Sequence, residues 1–141
     1  MSLYLDTSCL LKLVFVEPES LRVKELVMQE PQVIVSTLVR LEAAQTLLAR
    51  RLAGSIGRGQ HARLAKTLAE MLHTPPFDVI TFPAAAVTAA ESQILAGVYC
   101  RTPDRLHLGA MEALGLRRLL TNDDQQATAA RALGFTVLMP R

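Results

Sequence analysis

A chain of 141 residues, half of them hydrophobic, is sized for one domain with a substantial core. Its formal charge of +2, from fifteen basic and thirteen acidic residues, does not mark a nucleic-acid binder; most of the bases are Arg, whose planar fork suits phosphate, but a GC-rich genome accounts for that bias as well. Two cysteines without paired spacing, Cys9 and Cys100, exclude a zinc cluster and a disulfide framework.

The early acid Asp6 argues against a signal peptide, and the polar residues between Pro83 and Cys100 argue against a membrane span, so a cytoplasmic protein is expected. Leu3-Tyr4-Leu5 reads as a short buried strand ending at Asp6, and Thr7 and Ser8 as capping residues of the helix that follows. Pro18 opens a second helix to about Met28, with Leu21, Leu26 and Val27 on its apolar side. Val33-Ile34-Val35 predicts a second strand, closed by Ser36-Thr37. A long helix follows, with Leu38, Leu41, Leu48 and Leu52 as its expected inner stripe. Gly54 to Gly59 breaks it. The next helix runs from about Gln60 to His73, with Leu64, Leu68, Met71 and Leu72 inward, until Pro75-Pro76. Residues 79–82 predict a third strand and 83–98 an Ala-rich helix. Pro103 opens a helix to Leu114, with Gly115 as its C-cap. Leu119-Leu120-Thr121 is a short strand, Asp123 or Asp124 caps a helix to Leu133, and Thr136-Val137-Leu138 is the last strand. Short apolar strands alternating with helices predict an α/β domain with a mainly parallel sheet. No linker, repeat or low-complexity tract divides it, so one domain over 1–141 is expected.

In such a sheet, ligands bind at the carboxyl ends of the strands. Asp6 and Asp123 follow strands directly. Glu42 lies one turn into the helix after the second strand, and Asp104 in the first turn after Thr102-Pro103. Each acid alone also fits a helix start or a solvated helix face. Together on one rim they would repel each other, and a hard cation such as Mg2+ or Mn2+ would relieve that. One or two such ions activate water and stabilise charge on a phosphodiester under attack.

Four segments, in order, carry a resemblance: Leu5-Asp6-Thr7-Ser8-Cys9-Leu10-Leu11 with Glu17-Pro18, Ser36-Thr37-Leu38-Val39-Arg40-Leu41-Glu42, Thr102-Pro103-Asp104-Arg105-Leu106-His107-Leu108, and Leu120-Thr121-Asn122-Asp123, followed by Gly134-Phe135-Thr136-Val137. This pattern resembles the PIN-domain family, in particular the VapC-like toxins of bacterial toxin–antitoxin pairs, over nearly the whole chain. The resemblance implies a three-layer α/β/α sandwich and Mg2+- or Mn2+-dependent endoribonuclease activity. Asp6, Glu42, Asp104 and Asp123 would carry or support the metal, with Thr121 and Ser8 holding the cluster by hydrogen bonds. It also implies an RNA substrate, a homodimer and a VapB-like antitoxin that reaches into the groove, often with an Arg. Thr-x-Asp spacing selects Asp123 over Asp124, which is left as a cap or outer acid.

Other features yield less. Gly57-Arg58-Gly59-Gln60-His61-Ala62 fits a dinucleotide-binding pattern by letter but follows a helix, not a strand. His107 is expected to pack or to support the acids from outside. Arg40 and Arg105 adjoin site acids and are candidates to touch phosphate or to offset carboxylate charge. Two other readings stay open: a PIN-like module that binds RNA or protein without cleaving, and a different Mg2+-dependent phosphotransfer enzyme using Asp as nucleophile.

Overall fold

The computed structural model describes residues 1–141. In chain order the elements are β1 (Leu3–Leu5), α1 (Thr7–Leu11), α2 (Ser20–Met28), β2 (Val33–Ser36), α3 (Thr37–Leu52), α4 (Arg58–Leu72), β3 (Phe77–Ile80), α5 (Ala86–Ile94), α6 (Thr102–Leu114), β4 (Arg118–Leu120), α7 (Asp124–Ala132) and β5 (Thr136–Leu138). The five strands form one sheet in the order β3-β2-β1-β4-β5. Every pairing is parallel, with Tyr4 beside Ile34 on one side and Leu119 on the other.

β1 and β2 are apolar and buried along their whole length, as strands covered on both faces must be. The edge strands β3 and β5 are more open. Parallel crossovers are right-handed. The chain moves outward from β1 to β3 and then returns past β1 to β4, so the crossovers before and after β3 lie on opposite faces. The result is the three-layer α/β/α architecture. The reversal falls between β1 and β4, where ligand crevices of open sheets form.

Several expected details differ. The inner face of α3 is Val39, Ala43 and Leu47, while Leu41 and Leu52 are 65% and 73% exposed. Small Ala43 lets the helix sit close, and Leu41 lies on the opposite side of the helix from the Val39, Ala43 and Leu47 face. Likewise Val23, not Leu21, is buried in α2, which starts at Ser20 because Pro18 and Glu19 belong to the preceding turn. The third strand lies two residues earlier than expected, and α5 stops at Ile94 rather than Val98.

Two glycines are needed where they stand. Gly115 ends α6 at φ +70°, a left-handed C-cap. Gly109 lets α6 meet α5: a Cβ there would lie 2.4 Å from the Ala86 carbonyl oxygen. The turn after α1 is tied by the nearly buried Lys12, whose ammonium donates to Glu17 (2.9 Å) and Glu19 (3.0 Å).

Candidate active site

Above the carboxyl ends of β1, β2 and β4 lies a cleft of about 240 Å³, lined almost wholly by polar side chains. Asp6, Glu42, Asp104 and Asp123 all face it.

Asp6 ends β1 and caps α1, and is only 4% exposed. Its Oδ1 accepts from the Cys9 amide (2.9 Å) and its Oδ2 from the Thr121 hydroxyl (2.6 Å); Ser8 Oγ lies 3.0 Å from both oxygens. Burial pushes its carboxyl up from the ordinary range, and the donors Thr121, Cys9 and Ser8 pull back. Thr121 also accepts from the Asp123 amide (3.0 Å), so one buried hydroxyl ties the ends of β1 and β4 together.

Glu42 is held from two sides. Thr7 Oγ1 (2.7 Å) and His107 Nε2 both bond its Oε1, leaving Oε2 without a protein donor. Burial raises its carboxyl, but the bonds from His107 and Thr7 win and hold it below the ordinary range. His107 is itself buried, its Nδ1 2.7 Å from the Tyr4 hydroxyl, which in turn lies 2.9 Å from Ser36 Oγ. A hydrogen-bonded chain therefore runs from β2 through β1 and α6 to the acid on α3.

Asp104 and Asp123 are a more open pair. Burial and the charge of Asp123 push the Asp104 carboxyl up. Arg101 bridges the two, with Nε 3.3 Å from Asp104 Oδ2 and Nη2 2.9 Å from Asp123 Oδ2. Asp123 also caps α7 through the Gln126 amide (3.0 Å). Asp124 instead points into solvent, 74% exposed, and pairs with Arg141 (2.9 Å).

Several of these groups escape sequence reasoning. Arg101 is the cation beside the acids. Arg105 is buried against the Val98 carbonyl and Gln93, and Arg40 lies outside the cleft, so neither offsets a site carboxylate. Gln126 lines the cleft, 1% exposed, with both carboxamide atoms unpartnered. Only the orphaned amide itself marks it, and that is visible only after folding.

The facing donors are carboxylates and hydroxyls, the oxygen chemistry that hard divalent cations take. No three Asp, Glu, His or Cys side chains stand together as a ready ligand group. That spacing still suits Mg2+, which keeps several waters and needs only one or two direct carboxylates.

The PIN domain family model matches residues 3–132. The chain belongs to the PIN-domain family. This PIN domain is 31% identical to Ribonuclease VapC46 of Mycobacterium tuberculosis over 99% of its own length and 98% of that protein's. It superposes on the DNA-bound VapBC structure from Salmonella typhimurium with a TM-score of 0.74 at 14% identity, covering 100% of this chain and 99% of that one. Mycobacterium tuberculosis VapC20, described as a sarcin-ricin loop cleaving toxin, matches with a TM-score of 0.70 at 22% identity over 95% and 96% of the two chains. At those identities the two structures establish a shared fold.

Proposed function

We propose that this PIN domain is a divalent-metal-dependent endoribonuclease, the toxin of a VapBC-like toxin–antitoxin pair. The observation that carries the reading is the meeting of Asp6, Glu42, Asp104 and Asp123 on one polar cleft, at the strand reversal. Its relative of matching length, a ribonuclease by name, supports the same chemistry.

In this reading Asp6, Asp104 and Asp123 hold Mg2+ or Mn2+, with Glu42 directed at the same space through its free Oε2. The ion supplies positive charge to the phosphodiester and makes a water more acidic. Asp6 is fixed on both oxygens and acts as a rigid ligand. Glu42, kept ionised by His107 and Thr7, accepts a proton from the attacking water. Water oxygen bonds to phosphorus, the phosphorus–oxygen bond to the next nucleotide breaks, and the leaving oxygen takes up a proton. No protein nucleophile is needed, and the buried, fully hydrogen-bonded Asp6 is poorly placed to be one.

The proposal extends to one domain over 1–141, a homodimer, a VapB-like antitoxin that closes the cleft, and a cytoplasmic site of action. No helix is long and apolar enough to cross a membrane. The test is cleavage of RNA by the purified chain with Mg2+, with EDTA, and as Asp6→Asn. Cleavage only in the first condition is expected; equal cleavage in all three overturns the reading.

A further inference from the structure

We infer that Arg101 binds the phosphate of the RNA strand, and that its grip on Asp104 and Asp123 is a parked position from which a divalent cation releases it. The inference rests on the nuclease reading above.

Arg101 is the only Arg or Lys lining the cleft, where four carboxylates face it. An anionic strand entering there meets repulsion from every acid and attraction from one guanidinium. The residue stands at the N-cap of α6, without a side-chain capping bond. Its side chain is 61% exposed, whereas that of Asp104 is 13% exposed. The head therefore lies at the mouth, and the acids line the wall. It reaches two different residues through Nε and Nη2, not one carboxylate in fork-to-fork fashion, so its strongest pairing geometry is unused.

The oxygens it holds, Asp104 Oδ2 and Asp123 Oδ2, belong to the acids assigned to the metal. A dication attracts those carboxylates more strongly than a single positive charge does, and it repels the guanidinium. With the guanidinium largely exposed each ion pair is weak, so release costs at most about fivefold in metal affinity per pair. Once free, the planar fork is matched to two oxygens of a phosphate. Arg101 thus offsets part of the charge on Asp104 and Asp123 before loading and turns toward the substrate after it.

The test uses the full chain as wild type, Arg101→Gln and Arg101→Lys, with folding checked by circular dichroism. Calorimetric titration with Mn2+ alone is expected to show Arg101→Gln binding about two- to fivefold more tightly than wild type. Binding of a short single-stranded RNA is then measured with Ca2+ in place of Mg2+, the RNA being verified intact by gel. Arg101→Gln is expected to lose about tenfold in affinity, with a salt slope lower by about one phosphate contact. Arg101→Lys, which keeps charge without the fork, should fall between. Weaker Mn2+ binding by Arg101→Gln overturns the parked position, and unchanged RNA affinity and salt slope overturn the phosphate role. A wild type that cleaves RNA while either result holds sinks this inference alone. A wild type that neither binds Mn2+ nor cleaves sinks the nuclease reading.

Discussion

Replacing Thr121 by Val keeps the volume of a fully buried side chain and removes one hydroxyl. That hydroxyl donates to Asp6 Oδ2 at 2.6 Å and accepts from the Asp123 amide at 3.0 Å. A hydrogen bond to an ionised group is worth about 1.5–3 kcal/mol, and the stranded amide adds about 1 kcal/mol. The expected penalty is therefore about 2.5–4 kcal/mol, a large part of the roughly 5–15 kcal/mol that stabilises a domain. Its pH dependence has a definite sign. Burial raises the Asp6 carboxyl and Thr121 is the strongest opposing donor, so the substitution raises it further. The penalty is then greatest where Asp6 is ionised and shrinks as falling pH protonates Asp6 in both proteins. Urea unfolding in EDTA, at neutral and mildly acidic pH, measures it. Combined with Asp6→Asn, the two changes should couple by at least about 1 kcal/mol. A penalty under about 1 kcal/mol, or strict additivity with Asp6→Asn, refutes the link.

Gln126→Leu removes a buried, unpartnered amide and should raise the melting temperature, while RNA cleavage falls if the amide serves the cleft; a lower melting temperature contradicts the orphan assignment. Gly109→Ala should cost about 3 kcal/mol in urea unfolding, because backbone of α5 must retreat from the added Cβ. The Glu30–Arg118 pair, at 2.6 and 2.8 Å, holds the Glu30 carboxyl below its ordinary value. Its stabilisation is complete above the unfolded carboxylate range and is lost as pH falls through the lowered folded value, so Glu30→Gln should destabilise at neutral pH and match wild type in strong acid. Mn2+ should raise the melting temperature of wild type and much less that of Asp104→Asn, as read by calorimetry.

The parallel sheet and the rim that carries the acids follow from local signals. The apolar run Leu3-Tyr4-Leu5 ends at Asp6, Leu119-Leu120-Thr121 stops shortly before Asp123, and the helices between the strands force a parallel sheet. The inner stripe of α3 is harder, because leucine dominates a hydrophobic pattern while close packing selects Ala43. Arg101 shows locally only its three-residue spacing to Asp104; its contact with Asp123 spans 22 positions, and no periodicity relates positions that far apart. His107 stands near Asp104 in sequence, yet its partners are Tyr4 and Glu42, on elements distant in the chain. Such pairs become visible only when the fold closes.

The bond from Thr121 to Asp6 joins residues separated by 115 positions. Its consequence concerns the stage of synthesis at which the cleft is completed. Asp6 leaves the ribosome early, but β1 gains its β4 neighbour, and the cleft its Asp104 and Asp123, only after most of the chain has been synthesised. A chain that stops before β4 holds Asp6, Glu42 and Asp104 but lacks Asp123, Gln126 and the Thr121 hydroxyl that fixes Asp6. Closing so long a loop is also entropically costly and slow. The crossover back past β1 thus sets an order of assembly: the acid that opens the chain is fixed last, by a hydroxyl that follows it by 115 positions.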